Sequence, residues 1–280
     1  MSSGKGVGWF TRSRRGLAVP VTYLILLGSL IVLVSVTYGF AAARINAKGA
    51  VLGVAVAKQN MQALDDAIRL VAWNTGAAKT VFMEDCGSVF QVQPNAKNLV
   101  LRLMDGGGFS SVVFNGSMGK VLYTFSALPE NQQGFFVRGD GRAIVGYGAS
   151  TMAQLYFERD GNVQQLVLCY RPMMTALATS LSNGGGGTKP VNVLRLYILN
   201  VSIPQPLALG GSFKLKVSTI NVASTLQVFT FEGGVSSLAI EALSENAQTT
   251  VHVPLESSME GAVVNLETYI CHITIQVVSS

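Results

Sequence analysis

Residues 16–43 read GLAVPVTYLILLGSLIVLVSVTYGFAAA, a stretch of 28 residues without a charged side chain. About 20 apolar residues are enough for a helix to span the hydrocarbon core of a membrane. The stretch is also longer than the apolar region of about 7–15 residues in a secretory signal peptide. It therefore predicts a transmembrane helix over residues 16–43.

Basic residues flank the apolar stretch unequally. Four of them precede it, namely Lys5, Arg12, Arg14 and Arg15. Two follow it closely, Arg44 and Lys48. The flank that is richer in Lys and Arg normally stays in the cytoplasm. The sequence therefore predicts a single-pass cell-membrane protein with a cytoplasmic N-terminus and an extracytoplasmic body.

The net charge of the chain comes mostly from residues 1–15, which form a basic leader. Taking the four leader cations away from the net charge of +5 leaves +1 for the remaining chain. A nucleic-acid-binding protein needs basic residues clustered on a folded face, and the sequence after residue 15 shows no such cluster. The charge pattern therefore argues against nucleic acid as a partner.

Three interpretations of the N-terminal segment compete. The first is a plain signal anchor. The second is a secretory or twin-arginine signal, for which Ala41-Ala42-Ala43 would be the cleavage site and Ser13-Arg14-Arg15 the start of the motif. The residues that follow Arg15 do not continue a twin-arginine motif in the usual way. The third is a prepilin-type signal, because a short basic leader ends at Arg15 and Gly16 opens the apolar helix.

The arrangement at residues 12–43 resembles the class III signal peptide of archaeal type IV pilins, archaellins and pilin-like proteins. In those families a prepilin-type peptidase cleaves just before the glycine on the cytoplasmic side, and the apolar helix stays on the mature protein. The resemblance places cleavage between Arg15 and Gly16. Val19-Pro20-Val21 is similar to the Ser-Pro-Val start that is common in the archaeal proteins, whereas bacterial pilins usually carry Glu at the position of Pro20.

This resemblance implies a structural function. The chain would be a pilin-like cell-surface protein that is membrane-anchored and assembles into a filament through its N-terminal helix. Its partners would be the membrane, the prepilin-type peptidase and other pilin-like subunits. Small residues that would let such helices approach closely are Gly28, Ser29, Ser35 and Gly39. The alternative function is a monomeric membrane-anchored extracytoplasmic β-domain that binds a ligand or partner.

Residues 44–76 predict an amphipathic helix that continues this spine. Apolar residues recur at spacings of three and four, at Met61, Leu64, Ile68 and Val71. Polar residues occupy the other positions, at Gln62, Asp65, Asp66 and Arg69. Such a pattern is typical of a helix that packs one stripe on a core and keeps its acidic residues in solvent. Gly49 and Gly53 predict a bend or break at the join.

From residue 77 onward, short strand-like runs alternate with turn residues. Two β-rich regions are predicted, residues 77–181 and residues 191–280, and whether they form one domain or two stays open. A Gly-rich linker at residues 182–190 separates them. Asp160-Gly161 predicts a tight hairpin, and Met173–Leu181 is predicted as a short helix.

Together these patterns predict an α+β fold. A long N-terminal helix, first transmembrane and then amphipathic, precedes an antiparallel β-sandwich-rich body. The low charged fraction, 12% of the residues, agrees with sheets that pack face to face.

The sequence offers little for catalysis or metal binding. There are only two histidines and no C-x-x-C spacing, so no structural zinc site, metal or cofactor is predicted. Cys271 and His272 are neighbours in a predicted strand, and neighbouring strand residues point to opposite faces. They therefore cannot form a Cys–His nucleophile pair. The chain is not expected to be an enzyme.

Two kinds of covalent modification are consistent with an extracytoplasmic body. The three cysteines, Cys86, Cys169 and Cys271, form either one disulfide of unknown pairing with one free thiol or three buried thiols. Asn115-Gly-Ser117 and Asn200-Val-Ser202 are N-glycosylation sequons.

Overall fold

The computed structural model describes residues 18–125, 133–146, 151–161, 163–184, 187–245 and 247–278. The predicted leader and the predicted cleavage site at Arg15–Gly16 lie outside these residues. The chain divides into two compact units, Met1–Gly49 and Ala50–Ser280.

Helix α1 (Ala18–Val71) runs for 54 residues without a break. It contains an 18-residue window with a mean hydropathy of 2.3, none of which is buried, so the helix is long and apolar enough to cross a membrane. The sequence predicts a bend or break at Gly49 and Gly53, and the helix is not broken there, because one glycine costs a helix only about 1 kcal/mol. Gly53 has a packing role instead, since a Cβ there would lie 2.5 Å from the carbonyl oxygen of Cys86.

The apolar stripe of α1 is buried in the second unit, as the sequence predicts. Its members in the first hydrophobic core include Val54, Ala57, Met61, Leu64, Ile68 and Val71. The helix ends at Val71 rather than at residue 76. The chain turns there because Trp73 and Gly76 adopt φ angles of 70° and 81°, which no α-helix contains.

Fourteen strands are described in the rest of the chain. They are β1 (Ala78–Met83), β2 (Val89–Asp105), β3 (Ser110–Phe125), β4 (Phe136–Arg138), β5 (Val145–Gly146), β6 (Ala153–Asp160), β7 (Val163–Tyr170), β8 (Met173–Gly184), β9 (Gly187–Val201), β10 (Leu207–Leu209), β11 (Phe213–Phe231), β12 (Ser237–Ser244), β13 (Ala247–Pro254) and β14 (Ala262–Val277). A helix followed by a strand-rich body confirms the predicted fold class.

The strands form two sheets. A six-stranded sheet has the order β1-β11-β14-β9-β8-β5, and a larger sheet has the order β13-β12-β2-β3-β7-β6-β4 with β10 beside β2. Most neighbours are antiparallel, but β9 and β14 are parallel, as are β5 and β8. The predicted hairpin is confirmed, since Asp160 pairs with Val163 and Gly161 has a φ of 58°.

The described residues of the Gly-rich segment 182–190 do not form a linker. They belong to the paired strands β8 and β9, in which Ser182 pairs with Lys189 and Gly184 with Gly187. The predicted helix Met173–Leu181 is also wrong, because this segment forms β8 and pairs with the apolar strand β9. Each sheet takes strands from both sides of the segment. The two predicted β-rich regions therefore share one body.

Two hydrophobic cores lie on opposite faces of the six-stranded sheet. Leu199 and Cys271 belong to the first core, with α1, whereas their neighbours Ile198 and Ile270 belong to the second core or pack against it. Successive strand residues point to opposite faces. The first core therefore covers one face of the sheet near the C-terminal end of β9. The second core covers the opposite face along the preceding part of β9.

Candidate functional site

The first part of α1 presents an exposed apolar surface. Every large apolar side chain from Leu24 to Phe40 is more than half exposed. The Ser29 hydroxyl donates to the carbonyl of Leu26 at 2.9 Å, and the Thr37 hydroxyl donates to the carbonyl of Leu33 at 2.8 Å. These bonds satisfy the two hydroxyls inside the helix. The surface is therefore suited to lipid or to another apolar helix.

A shallow groove of about 460 Å³ lies on this surface. Its lining residues are Gly28, Ser29, Val32, Leu33, Val36 and Thr37. Of the small residues predicted to allow close helix approach, Gly28 and Ser29 line the groove, whereas Ser35 and Gly39 do not. A Cβ atom on Gly28 would meet nothing within 4 Å in its own chain. Any steric requirement for glycine at this position therefore has to come from another molecule.

An ionic cluster attaches the second part of α1 to the β-body. Asp65 is fully buried, and the Tyr170 hydroxyl donates to its Oδ1 at 2.8 Å. The Arg138 guanidinium pairs with Asp65 Oδ2 and donates to Asp66 Oδ1 at 3.0 Å. Burial and the negative charge of Asp65 raise the pKa of Tyr170 well above its usual value, so its hydroxyl remains a donor. The expectation that Asp65 lies in solvent is wrong.

A second ionic cluster surrounds Arg171, the central residue of Tyr170-Arg171-Pro172. Its side chain is fully buried and donates to three backbone carbonyls, those of Thr151, Asp140 and Arg142, at 3.1–3.2 Å. It also pairs with the Asp140 carboxylate. Hydrogen bonds from Arg142 and Arg171 hold the pKa of Asp140 well below its usual value. This cluster attaches the chain around residues 140–142 and the chain at Thr151 to the C-terminal end of β7.

A cleft of about 160 Å³ lies on the larger sheet. Its lining includes Cys169, Gln154 and Tyr156, together with Lys97 and Lys120. The Cys169 thiol donates to Gln154 Oε1 at 3.5 Å. Burial raises the pKa of the Cys169 thiol and of the Tyr156 hydroxyl, which is the opposite of the depressed pKa that a nucleophilic cysteine needs. Both groups are therefore protonated at neutral pH.

The three cysteines are free thiols. Cys169 and Cys271 are buried, and Cys86 is half-buried. Cys169 and Cys271 thus fit the predicted alternative of buried thiols, whereas Cys86 is more exposed than that alternative expects. Within the described parts of the chain, no three His, Cys, Asp or Glu side chains are grouped so that they could hold a metal ion.

The two predicted glycosylation sites differ in the exposure and hydrogen bonding of their asparagine side chains. Asn115 lies exposed on β3. Asn200 is half-buried, and its Oδ1 accepts from the backbone N–H of Gly119 at 2.9 Å while its Nδ2 donates to the carbonyl of Ser117 at 3.2 Å. A glycan on Asn200 would disturb both bonds. Of the two sequons, Asn115 is therefore the better acceptor.

Comparison with known proteins adds no family to these observations. No protein-family model, curated protein or solved structure matched the chain.

Proposed function

We propose that the chain is a pilin-like structural cell-surface protein, anchored in the membrane and assembled into a filament through its N-terminal helix. One observation carries the proposal. The residues of α1 from Leu24 to Phe40 are apolar and exposed, whereas the stripe from Val54 to Val71 is buried in the first core. A single helix thus carries one apolar surface that its own β-body covers and another that it leaves for other molecules.

The dimensions and chemistry of the exposed part support a membrane-spanning role. An 18-residue apolar window extends for about 27 Å at 1.5 Å per residue, close to the hydrocarbon thickness of about 30 Å. The hydroxyls of Ser29 and Thr37 are satisfied within the helix. The basic leader and the Arg15–Gly16 junction add the second support, since a peptidase that cuts there would release a subunit whose helix is free to leave the bilayer.

The monomeric alternative rests on the same exposed surface. Lipid alone would satisfy these side chains without any other copy of the chain. The two functions differ in the mature N-terminus and in whether filaments form, so both are measurable.

The mature N-terminus tests processing. We expect intact-mass measurement of the chain from its native membrane to show an N-terminus at Gly16. A variant with Arg14→Ala and Arg15→Ala should accumulate with its leader attached. An intact Met1 in the unaltered chain, or cleavage after Ala43, would contradict the pilin-like proposal.

Substitution at Gly28 tests assembly. Gly28→Leu should reduce the number of surface filaments at least about tenfold, because a loss of about 1.4 kcal/mol at a helix contact is a tenfold change in association constant. A Cβ at Gly28 touches nothing in its own chain, so the effect would arise between subunits. Filaments on sheared cell surfaces are counted by negative-stain microscopy.

Gly49→Leu is the matched control. It makes the same change in helix propensity, and a Cβ there also meets nothing within 4 Å, but Gly49 lies after the apolar stretch. Normal filaments in both variants would exclude close helix packing at Gly28. The absence of filaments from the unaltered chain would favour the monomeric alternative.

A further inference from the structure

Strand β11 has a long open edge. One of its edges pairs with β14 from Leu215 to Phe231. The other edge pairs with β1, but only from Phe213 to Ser218. Among the residues that the structure describes, β14 is therefore the one strand that pairs with Asn221–Phe231. Along this second edge, every other residue of the segment directs its backbone N–H and C=O away from β14, and no strand within the described parts of the chain bonds to them.

The composition of this edge is unusual for an unpaired strand. Residues 221–231 read NVASTLQVFTF and contain no charge, no proline and no glycine. Proteins normally protect open edges with charges, prolines or bulges because such edges template pairing with another chain. Leu226 and Val228 are 60% and 58% exposed. The register of β11 shifts between Thr219 and Asn221, at the start of the segment. From Val222 to Phe231, no charge, proline or bulge opposes the addition of another strand.

We propose that residues 221–231 pair antiparallel with the same residues of a second copy of the chain, about a two-fold axis at Leu226. The two six-stranded sheets would then join edge to edge into one continuous sheet. A two-fold axis uses the same surface on both copies, and an uncharged strand brings no like charges together when it pairs with itself. The added strand is a form of β-augmentation, in which backbone hydrogen bonds hold the partner.

The two ends of the segment fix this register. Before Asn221, the Thr219 N–H donates to the carbonyl of Ala77 at 3.1 Å, so β1 occupies the edge from that point. After Phe231, the chain turns away at Gly233, where φ is 84°. A partner strand therefore fits between the start of β1 and its own turn. Asn221 of one copy then lies opposite Phe231 of the other.

Charge complementarity favours a second copy as the occupant. In this register, Glu232 of one copy lies opposite Ile220 of the other, three residues before the position of Lys79, which pairs with Val217. The two long side chains therefore bring opposite charges into the same region of the contact. Both Glu232 and Lys79 are exposed. The two-fold axis repeats this pair, so opposite charges close both ends of the uncharged segment.

The size of the contact indicates where pairing occurs. An added strand of about 11 residues buries less surface than the 1,200–2,000 Å² of a typical stable interface. Its backbone hydrogen bonds contribute only about 0.5–1.5 kcal/mol each. Pairing should therefore be weak in dilute solution and strong where copies are held at high effective concentration, as in one membrane. It requires membrane attachment but neither leader cleavage nor filament formation.

A cysteine scan in the full-length chain tests the register. We expect Leu226→Cys to give an oxidised dimer in native membranes, at a yield at least five times that of Val112→Cys. Val112 is 53% exposed on β3 and provides the control for random collision. Yields at positions 222–230 should be greatest at 226 and fall on both sides. Equal yields at 112 and 226, or a cross-linked product with the mass of another protein, would overturn the proposal.

A charge exchange tests the same pairing without oxidation. Two differently tagged copies that both carry Leu226→Lys, or both Leu226→Glu, should co-purify about two- to fivefold less than unaltered copies, because like charges meet on the axis. One copy of each kind should restore co-purification. Restoration also shows that both variants fold. Equal recovery in all combinations would contradict self-pairing, and if either variant unfolds, the cysteine scan decides.

Discussion

Replacing Asp65 with alanine should lower the free energy of unfolding by about 3 kcal/mol. Asp65 is fully buried and accepts the Tyr170 hydroxyl while it pairs with Arg138. Removing one member of a buried ion pair leaves its partners without compensation, which typically costs about 3–5 kcal/mol. The lower end applies here because Arg138 keeps its contact with Asp66. Denaturant titration of the full-length chain, followed by near-ultraviolet circular dichroism, measures the change.

The matched control is Asp66→Ala. The Asp66 side chain is 62% exposed and does not pack in the core, but it contacts the same guanidinium. Exposed ion pairs contribute about 0–1 kcal/mol, so this variant should lose less than about 1 kcal/mol. Tyr170→Phe should fall between the two, at about 1–2 kcal/mol, because it removes one buried hydrogen bond. Equal losses for Asp65→Ala and Asp66→Ala would mean that the buried cluster does not stabilise the fold.

The helix is the part of the fold that the sequence predicts best. An uncharged stretch of 28 residues and an apolar stripe each have one strong physical interpretation, and both are present. The burial of Asp65 is the part of the helix that sequence reasoning missed. Asp65 follows Met61 by four residues and precedes Ile68 by three, so its spacing places it beside the buried stripe of α1. Its residue type and its acidic neighbour Asp66 instead led to the expectation of a solvated carboxylate, which the structure contradicts.

Long-range pairing explains what the sequence could not show. Residues 173–181 contain Met, Ala and Leu, which favour a helix locally, but pairing with β9 makes them a strand. Four consecutive glycines suggested a flexible linker, yet the strands on either side of them pair with each other. Which strands meet depends on contacts between distant residues. The open edge of β11 has the same origin, because it exists only where β1 stops.

Arg171 is the second position at which a single substitution should have a large effect. Its sequence signal was a charged residue at the end of an apolar strand, beside Pro172. Its partners come from residues 140, 142 and 151, which are 20–31 positions away. No local pattern could have identified them.

Arg171→Met should lower the free energy of unfolding by about 3–5 kcal/mol. The substitution keeps much of the side-chain volume but leaves three backbone carbonyls and one carboxylate without the guanidinium that they share. Unpaired buried acceptors each cost about 1–3 kcal/mol, and Gln154, which donates to two of these carbonyls, recovers part of the loss. Thermal and denaturant unfolding of the full-length chain provide the measurement.

Two variants separate the charge of Arg171 from its geometry. Arg171→Lys keeps the positive charge but replaces a planar fork of five donors with one ammonium group, which cannot reach several carbonyls in different directions. It should therefore recover less than half of the loss. Arg142→Met removes a guanidinium that bonds the same carboxylate from a side chain that is 47% exposed, and it should cost less than about 1 kcal/mol. If Arg171→Lys were as stable as the unaltered chain, charge alone would explain the buried arginine, and its bonds to the three carbonyls would not stabilise the fold.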